Sequence, residues 1–563
     1  MSRVHREVVV IGAGWSGLLA CKYMLEEKLS VVVLEKRPEI GGVWNYSDDP
    51  SILTVMKRTQ CTSSSSVTEI SDFPMPDEMG EFPRHAQIYK YLNDFCDAFA
   101  LHPHIVLSCG VVQADKIGDN WEVLGEDGNI YIGSKLVVCA GVHQKPNREL
   151  ENTLFSDYTG EVMHSGTLKS FIPEHIGKRV MIVGGGETAA DIVEEWYEGG
   201  AGQIIWSIPR GQHFFRKYSK ILPNRKPQTL DKASSRAIKT IAPYTKGKPG
   251  LAWVCHWTTA GSLLAYQGHG IPEWKNEAEF FHFFINKNGH VLDLVDYKHV
   301  VPKGAIDGAE GKKIYLSDGT QAEVDVIIQC TGYRTEFPFL PPKYQVPLIN
   351  NYKFIFNVED PSLAFIGYVR PIVGSIPILS EVQSCLTARV FSGVVHLPDN
   401  GDLVNETNKD TEFWSNYFKD SSKRLSTLVE AFTYLDDILV KSGRCVSWVE
   451  LFKDSPRDWF TTMLSPGCSS YMRLTTKGEE REKALANLRR RGQGCISPLH
   501  LLLIAFCRFI WFDWWLIQLG KVKYMFQTNK FCKKVQDYAV VRFANWVWTA
   551  PKRWLFDNKT RAS

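Results

Sequence analysis

The stretch that decides the fold is Glu7–Glu35, which reads EVVVIGAGWSGLLACKYMLEEKLSVVVLE. A short β-branched run is followed by the pattern G-x-G-x-x-G over residues 12–17, a helical pattern to about Glu27, and a second apolar run that ends in an acid. In this order the first glycine permits a tight turn, the second lets a pyrophosphate approach the backbone, and the third lets helix and strand pack closely. The segment therefore predicts a dinucleotide site at a helix N-terminus, with Glu35 accepting hydrogen bonds from both ribose hydroxyls.

A second phosphate-binding pattern occurs later in the chain. The run Val180–Val183 leads into Gly184-Gly185-Gly186-Glu187-Thr188-Ala189, where alanine is a permitted variant of the last glycine. The next apolar run ends at Ser207 without an acid and is followed by Pro209-Arg210-Gly211. Because a guanidinium can bind a ribose 2′-phosphate that an acid would repel, we expect the first unit to bind FAD and the second to bind NADPH. A solvated surface cation is the alternative interpretation of Arg210.

Composition limits the class of protein. The chain has 563 residues, 44% hydrophobic and 23% charged, which excludes wholesale disorder and is long enough for several domains. The thirteen cysteines are scattered without a C-x-x-C pair, which indicates reduced thiols rather than a disulfide framework. The N-terminus begins a strand-like run almost at once, so no cleavable signal peptide is expected.

Several further segments follow one another in a fixed order. They are Ile40-Gly41-Gly42-Val43-Trp44, Asp72-Phe73-Pro74-Met75-Pro76, Val138-Cys139-Ala140-Gly141, Asp325–Tyr333, Phe337-Pro338-Phe339-Leu340 and Pro361–Gly367. Together with the two glycine turns, this order resembles the animal-type flavin-containing monooxygenases, which are class B flavoprotein monooxygenases. The resemblance covers about residues 5–395 and includes a long insert near 211–300.

The resemblance implies an α/β fold with two Rossmann-like dinucleotide-binding domains. The NADPH domain is inserted into the FAD domain, and a helical, membrane-associated extension follows. The expected boundaries are 1–165 for the first part of the FAD domain, 166–329 for the NADPH domain with its insert, 330–450 for the second part of the FAD domain, and 451–563 for the extension.

The resemblance also implies an activity, an NADPH-dependent flavin monooxygenation of the EC 1.14.13 type exemplified by N,N-dimethylaniline monooxygenase. NADPH reduces the flavin, O2 adds at flavin C4a, and a soft nitrogen or sulfur nucleophile attacks the distal oxygen of the hydroperoxide. The sequence has no zinc-protease motif, nucleophile elbow or convincing metal-ligand spacing, so no metal is expected. This agrees with a reaction in which the cofactor carries the difficult step.

The resemblance transfers cofactor-binding roles to individual positions. The residues expected at the first turn are Gly12, Ala13, Gly14, Trp15, Ser16, Gly17, Glu35, Lys36, Val43 and Trp44. Those expected at the second turn are Gly184, Gly186, Thr188, Ala189, Ser207 and Arg210, and Gly332 and Tyr333 complete the set.

The catalytic candidates are Thr62 and its neighbour Ser63, and the resemblance places Thr62, ten residues before Asp72, where the family has an asparagine beside the reacting part of the flavin. A hydroxyl can donate one hydrogen bond but lacks the two-sided pattern of an amide. This departure leaves open an uncoupled NADPH oxidase that produces H2O2. The family fingerprint keeps Gly160 and His164 but changes both aromatic ends. A Baeyer–Villiger or N-hydroxylating monooxygenase also stays open, and His164 either joins the two domains or is a hydrogen-bonded structural histidine.

The C-terminal region predicts membrane association. The apolar segment 499–519 has the length of a span, but its twelve Leu, Ile and Phe favour insertion by about −6 kcal/mol, which Arg508 and Asp513 offset with about +6 kcal/mol. Arg489–Arg491 precede it, and the aromatic-rich segment 521–563 carries ten basic residues against two acids. We therefore expect a tail lying on an anionic cytosolic leaflet, with a buried helix pair and a true span as alternatives.

The expected partners are a small nucleophilic substrate, O2 and the membrane surface. No nucleic-acid motif accompanies the basic tail, so no nucleic acid is expected. Family analogy points to the endoplasmic reticulum, with the cytoplasm as the alternative location, and a homo-oligomer is left open.

Overall fold

A computed structural model describes residues 2–219, 228–229, 231, 266–267, 271–274, 283–296, 298–419, 421, 426–464 and 468–491. Most of the insert predicted at 211–300 lies outside these residues. The apolar segment 499–519 and the basic segment 521–563 also lie outside them.

The first sheet is built on the stretch that opens the sequence. Its five strands are all parallel, in the spatial order Leu363–Phe365, Lys135–Val138, Val8–Ile11, Val31–Leu34 and Ile105–Val106. Every residue of its two central β-branched runs, Val8–Ile11 and Val31–Leu34, is buried, as expected for a parallel sheet covered on both faces. The strand Leu363–Phe365 follows all five strands of the second sheet in the amino-acid sequence, although it belongs to the first sheet.

Two helices from distant parts of the chain cover one face of this sheet. The helix Trp15–Glu26 packs beside Ile376–Phe391, and their side chains share one apolar cluster that includes Leu18, Leu19 and Cys385. The helix His85–Ala98 adds Tyr91 and Phe95 to the same cluster. This layer holds the first glycine turn against the end of the sheet.

The second sheet also has five parallel strands. Their spatial order is Glu161–His164, Val326–Gln329, Arg179–Val183, Gln203–Ser207 and Val300–Lys303. The helix Glu187–Gly199 follows the second glycine turn and packs its Ile192, Val193 and Trp196 on this sheet. The strand Glu161–His164, which lies just before the expected domain boundary at residue 165, pairs with Val326–Gln329 and so belongs to the second sheet.

Smaller sheets flank these two. A four-stranded sheet contains Arg3–His5, Ile130–Gly133, Asn120–Gly125 and Val111–Ile117, and a three-stranded one contains Ile306–Glu310, Lys313–Leu316 and Gln321–Glu323. Short pairings join His213–Phe215 to Ile285–Asn286 and Tyr266–Gln267, Lys145–Pro146 to Tyr333–Arg334, Tyr218–Ser219 to Gln228–Thr229, and Arg370–Pro371 to Leu428–Val429.

The described residues after the first sheet are mostly helical. The helices are Asn400–Tyr417, Ala431–Lys441, Trp448–Asp454, Pro456–Leu464 and Glu479–Arg491, while Ser65–Thr68 and Leu292–Asp296 are short helices elsewhere. The C-terminal helices contribute Leu435, Ile438 and Leu488 to an apolar cluster that also contains Leu379 and Val382 of the helix Ile376–Phe391. Within the residues that the structure describes, no helix has the length and apolarity of a membrane span.

The three arginines at the end of the last described helix correct one expectation. Arg489–Arg491 were predicted to be the basic flank of a membrane tail. Instead, Arg489 forms an ion pair with Asp458, Arg490 with Asp77, and Arg491 with the buried Glu69. Their charges are already neutralised within the protein, so this helix end is fastened to the body of the molecule.

Candidate functional site

The first glycine turn lies where the strand Val8–Ile11 ends. Gly12 has φ +99°, and a Cβ there would lie 2.7 Å from the carbonyl oxygen of Cys139. A Cβ at Gly17 would overlap the Gly12 carbonyl oxygen. Both positions therefore require glycine, the first for its backbone conformation and the second for the close approach of helix to strand.

The helix that starts at this turn leaves its N-terminus free for an anion. Gly14 is its N-cap residue, no side chain caps it, and its first turn contains no acid. Gly14 also faces Gly42, where a Cβ would lie 3.1 Å from the Gly14 Cα. The backbones of Gly14 and Gly42, which carry no side chains, therefore form a cradle at the helix N-terminus. The first N–H groups of a helix have no partner within the helix, so this cradle fits the pyrophosphate of FAD.

Glu35 lies next to this cradle. Its buried carboxylate accepts the Ala13 N–H at 2.7 Å on Oε2 and the Arg37 N–H at 2.9 Å on Oε1. Each carboxylate oxygen has a second acceptor position, so the same group can also accept the two ribose hydroxyls. The sequence motif predicted the ribose contact, and the structure adds the turn-fixing contact.

The neighbouring predicted residues surround the same turn in different ways. Trp15 is buried against Tyr91 at 5.8 Å between ring centroids, and its indole Nε1 has no hydrogen-bond partner among the described residues. Ser16 lies 3.0 Å from Ser380, oxygen to oxygen, and is packed against Gly367. Val43 and Trp44 lie in the short 3₁₀ turn Gly42–Trp44, whereas the Lys36 side chain is exposed.

Arg37 is a residue of this site that the sequence interpretation missed. Its guanidinium donates to the carbonyl oxygens of Gly42 at 2.9 Å and Asn45 at 2.7 Å. It thereby fastens the glycine pair Gly41-Gly42 beside the cradle. The only feature of the sequence that could have indicated this role is the position of Arg37 two residues after Glu35. Its hydrogen-bond partners are backbone carbonyl groups, which a sequence motif does not record.

The second glycine turn has a similar arrangement at the other sheet, except that its helix begins with the acid Glu187. Gly184 has φ +129° and approaches the end of the strand Val326–Gln329. Gly186 is the N-cap of the helix Glu187–Gly199, again without a side-chain cap, and a Cβ on Gly186 would meet no atom of the described residues within 4 Å. Thr188 is exposed at the helix start, and Ala189 is buried against the sheet. These features leave room for a second dinucleotide.

Two amide side chains hold this second turn, and the sequence interpretation missed both. Gln212 donates to the Gly185 carbonyl at 2.9 Å, and Asn286 donates to the same oxygen at 3.1 Å. Both residues come from the long insert, so the insert contacts the nucleotide turn directly.

The residues after the next strand differ in what they can offer. Ser207 is fully buried, and its hydroxyl donates to the Gly304 carbonyl at 2.7 Å. Arg210 is exposed in the following turn. Arg216, a second cation nearby, is ion-paired with Asp293. Arg210 is thus the better placed of these two cations to meet a 2′-phosphate.

Gly332 and Tyr333 meet His164 at the end of the second sheet. His164 accepts the Gly166 N–H on Nδ1 at 3.0 Å, so its Nε2 carries the hydrogen and donates to the Gly332 carbonyl at 3.0 Å. Burial lowers the pKa of His164 to about 4, and burial raises the pKa of Tyr333 to about 12. The rings pack edge to face at 5.3 Å between centroids. His164 is therefore a neutral, hydrogen-bonded histidine.

The catalytic candidates Thr62 and Ser63 lie in a bend before the helix Ser65–Thr68. Thr62 is half-buried, and Ser63 is buried. The Ser63 hydroxyl donates to the Gly374 carbonyl at 2.6 Å and accepts a hydrogen bond from Lys287 Nζ at 3.2 Å. Gly374 follows the short strand Arg370–Pro371, and Gly367, just before that strand, packs against Ser16 of the first turn. Ser63 is thus joined to the first turn through the segment 367–374.

Sequence comparison identifies relatives along almost the whole chain. The model of the flavin-binding monooxygenase-like family (FMO-like) matches residues 5–491. The 4-hydroxybenzoate brominase (decarboxylating) of Marinomonas mediterranea is 30% identical over 470 residues, which is 80% of this chain and 86% of the brominase. Flavin-containing monooxygenase 5 of Rattus norvegicus is 28% identical over 74% of this chain and 79% of its own length.

Solved structures agree in fold. The S-allyl-L-cysteine S-oxygenase of Allium sativum superposes with a TM-score of 0.55 at 20% identity, covering 87% of this chain and 99% of that enzyme. Cyclohexanone monooxygenase in its closed form gives 0.56 at 15% identity, over 81% and 99%. The matched family uses FAD and NADPH, and the two turns described above fit both cofactors. The chain belongs to the flavin-binding monooxygenase-like family.

Proposed function

We propose that this protein is an NADPH- and O2-dependent FAD monooxygenase that oxygenates a soft nucleophilic nitrogen or sulfur centre. The observation that carries the proposal is the pair of uncapped helix N-termini, each behind a glycine turn at the carboxyl end of a five-stranded parallel sheet. Two such turns in one chain suit an enzyme that binds two dinucleotides at once. Two Rossmann-like domains, the second inserted into the first, are part of this proposal.

The two turns divide the cofactors between them. At the first turn, the Glu35 carboxylate suits the free ribose diol of FAD, and the Gly14–Gly42 cradle suits its pyrophosphate. At the second turn no acid follows the strand Gln203–Ser207, and the exposed Arg210 can pair bidentately with the 2′-phosphate of NADPH.

The chain's own contribution to the reaction is binding and orientation. When bound, FAD would supply the redox chemistry, taking hydride from NADPH and reacting with O2. The glycine turns would hold the two pyrophosphates, and the family position of Thr62 would place the Thr62–Ser63 bend beside the reacting part of the flavin. A nucleophilic substrate needs no activation by a base if its nitrogen or sulfur lone pair is free, which agrees with catalytic candidates that are uncharged.

A cofactor and substrate experiment tests this function. Full-length protein is expected to bind FAD, to be reduced by NADPH faster than by NADH, and to convert tertiary amines or thioethers in air. Arg210→Ala is expected to raise the KM for NADPH about tenfold with little effect on NADH, because one bidentate phosphate contact is lost. Equal use of NADPH and NADH by the wild type would contradict the assignment of the second turn.

The brominase relative favours a second candidate. An enzyme 30% identical over 86% of its length is named for brominating 4-hydroxybenzoate with loss of the carboxyl group. Bromide is itself a soft nucleophile, so oxidation of bromide in place of an amine would use the same reduced-flavin chemistry. Adding bromide and 4-hydroxybenzoate to the substrate panel, with ketones, primary amines and an assay for H2O2, separates bromination, Baeyer–Villiger oxidation, N-hydroxylation and uncoupled oxidase activity.

We also propose that the segments 499–519 and 521–563 attach the enzyme to the cytosolic face of a membrane, such as that of the endoplasmic reticulum. An apolar segment followed by aromatic and basic residues supports this location. The segments lie outside the described residues, and the sequence alone carries the proposal.

A further inference from the structure

Lys287 joins the two halves of the candidate site. It lies just after the short strand Ile285–Asn286, in a segment fixed to the second glycine turn. The Lys287 backbone N–H donates to Glu187 Oε1 at 2.9 Å, and Asn288 donates to Asp191 at 2.7 Å. The backbone of Lys287 is therefore held by the helix that begins at the second turn.

The side chain of Lys287 reaches the opposite side. Its Nζ lies 3.2 Å from Ser63 Oγ and 3.3 Å from the Gly374 carbonyl oxygen. Ser63 is one of the two catalytic candidates, and the segment of Gly374 begins at Gly367, which packs against Ser16 of the first turn. Lys287 thus contacts the helix of the second turn through its backbone, and the catalytic candidate Ser63 through its ammonium group.

The Ser63 hydroxyl and the Lys287 ammonium group differ in whether they have a hydrogen left to donate to a ligand. The Ser63 hydroxyl hydrogen is used in the 2.6 Å bond to Gly374, so the serine oxygen faces Lys287 as an acceptor. A lysine ammonium has three hydrogens, and Ser63 and Gly374 account for two. Within the described part of the chain, the third hydrogen has no acceptor. Lys287 is therefore the donor with spare capacity, and Ser63 is not.

The position of this lysine is electrostatically expensive. The side chain is only 8% exposed, and the charged groups around it are Glu187, Asp231 and Lys217, beside the Cys61 thiol. Burial lowers the pKa of Lys287 and raises the pKa of Glu187, whose Oε2 is buried without a hydrogen-bond partner among the described residues. Buried, incompletely paired charges of this kind concentrate at functional sites.

We propose that Lys287 is a catalytic residue that presents a positively charged N–H donor to the reacting oxygen at the Thr62–Ser63 side of the flavin site. This inference rests on the proposed function. A fixed cation aimed at developing negative charge stabilises it without reorganisation, and it supplies the donor that the hydroxyls at 62 and 63 cannot supply alone. The alternative is a structural tie that only holds the two halves together.

The test compares Lys287→Met and Lys287→Arg with Lys353→Met in full-length protein. Lys353 is a matched control, because it is 7% exposed and ion-paired with Asp410 and Asp437 away from the glycine turns. The first readout is the equilibrium between bound FAD and a reference dye under anaerobic reduction. Loss of a nearby cation is expected to shift this equilibrium about tenfold against reduced flavin in Lys287→Met, with Lys287→Arg and Lys353→Met close to wild type.

The second readout is the fraction of the NADPH consumed that is coupled to product formation, with the second oxygen atom reduced to water, rather than to release of H2O2. Lys287→Met is expected to lower this fraction at least about fivefold while keeping FAD content and the rate of anaerobic reduction by NADPH, and Lys287→Arg is expected to restore it in part. An unchanged dye equilibrium in Lys287→Met would overturn the proposal, and so would equal losses of thermal stability and FAD content in both Lys287 variants. Failure of the proposed function would appear separately, as wild-type protein that NADPH does not reduce.

Discussion

At the level of single residues, the Glu35 carboxylate both holds the first glycine turn and can accept hydrogen bonds from the ribose of FAD. Both of its oxygens already accept backbone N–H groups, from Ala13 and Arg37, and both keep a position for a ribose hydroxyl. The glycine motif predicts the acid but not its contact with the turn. The motif records the residues that contact the dinucleotide. The contact of Glu35 with the turn depends instead on the folded path of the backbone, which the motif does not record.

Glu35→Gln is expected to weaken FAD binding about tenfold and to destabilise the protein without FAD by about 1–3 kcal/mol. The amide NH2 of glutamine must face one of the two backbone N–H groups, which leaves a buried donor unpaired. The measurements are FAD titration by flavin fluorescence and urea unfolding of the apoprotein. Glu479→Gln, at an exposed helix start, is the control, and equal behaviour of the two variants would contradict the role of Glu35.

His164 gives a pH-dependent prediction. Because burial lowers its folded-state pKa to about 4, below the ordinary value of 6.5, the unfolded chain takes up this proton first as the pH falls. The His164 contribution to stability is therefore complete above pH 6.5 and declines between about 6.5 and 4. His164→Phe is expected to be less stable than wild type at pH 7, since the Gly166 N–H loses its acceptor, and the difference is expected to shrink towards pH 4.5.

Thermal unfolding midpoints between pH 4.5 and 7.5 check this. A His164→Phe difference that stays constant with pH would show that the histidine titrates normally in the folded protein.

The helix Glu479–Arg491 shows how an element can be misread from its sequence. Its basic end next to an apolar segment predicted a membrane flank, but all three arginines are paired with acids from distant parts of the chain. Arg491 faces Glu69, which is fully buried in the helix Ser65–Thr68 region and also accepts a hydrogen bond from Asn487. Long-range ion pairs of this kind leave no local pattern.

Arg491→Met is expected to destabilise the protein by about 3 kcal/mol, because it leaves a buried carboxylate with incomplete pairing. Burial already raises the pKa of Glu69, so loss of the guanidinium raises it further. Urea unfolding measures the effect, and Glu69→Gln added to Arg491→Met is expected to recover part of it. Lys483→Met, in an exposed pair with Glu479 on the same helix, is the control with no measurable change. A double variant no more stable than Arg491→Met would contradict the pairing.

The whole molecule combines parts that the sequence predicts with parts that it does not. The two glycine turns, their sheets and Glu35 were predictable, because glycine spacing and β-branched runs act locally. Lys287, Gln212 and Asn286 were not, since they reach the turns from an insert without a motif and their partners are carbonyl groups and one serine. The place of the strand Glu161–His164 in the second sheet was also not predictable, because its pairing partner lies more than 150 residues away.

Truncation separates the body of the molecule from its proposed membrane attachment. A chain ending at Arg491 keeps every ion pair of the last described helix and is expected to bind FAD at the wild-type ratio while leaving the membrane pellet. A chain ending at Gly478 removes Arg491 and Asn487 from Glu69 and is expected to unfold at a lower urea concentration. Membrane flotation and flavin absorbance measure both effects. A chain ending at Arg491 that still floats with membranes would contradict the assignment of 499–563 as the attachment.

We expect one atom of O2 to be transferred to a nucleophilic substrate while the electrons of NADPH, passed through the flavin, reduce the other atom to water. The most direct measurement is a turnover with NADPH and ¹⁸O2 in the presence of a thioether or tertiary amine, with product analysed by mass spectrometry and NADPH and H2O2 counted in the same vessel. We expect one labelled oxygen atom in the product for each NADPH consumed. Unlabelled product, or NADPH consumption matched entirely by H2O2 across the substrate panel, would contradict it.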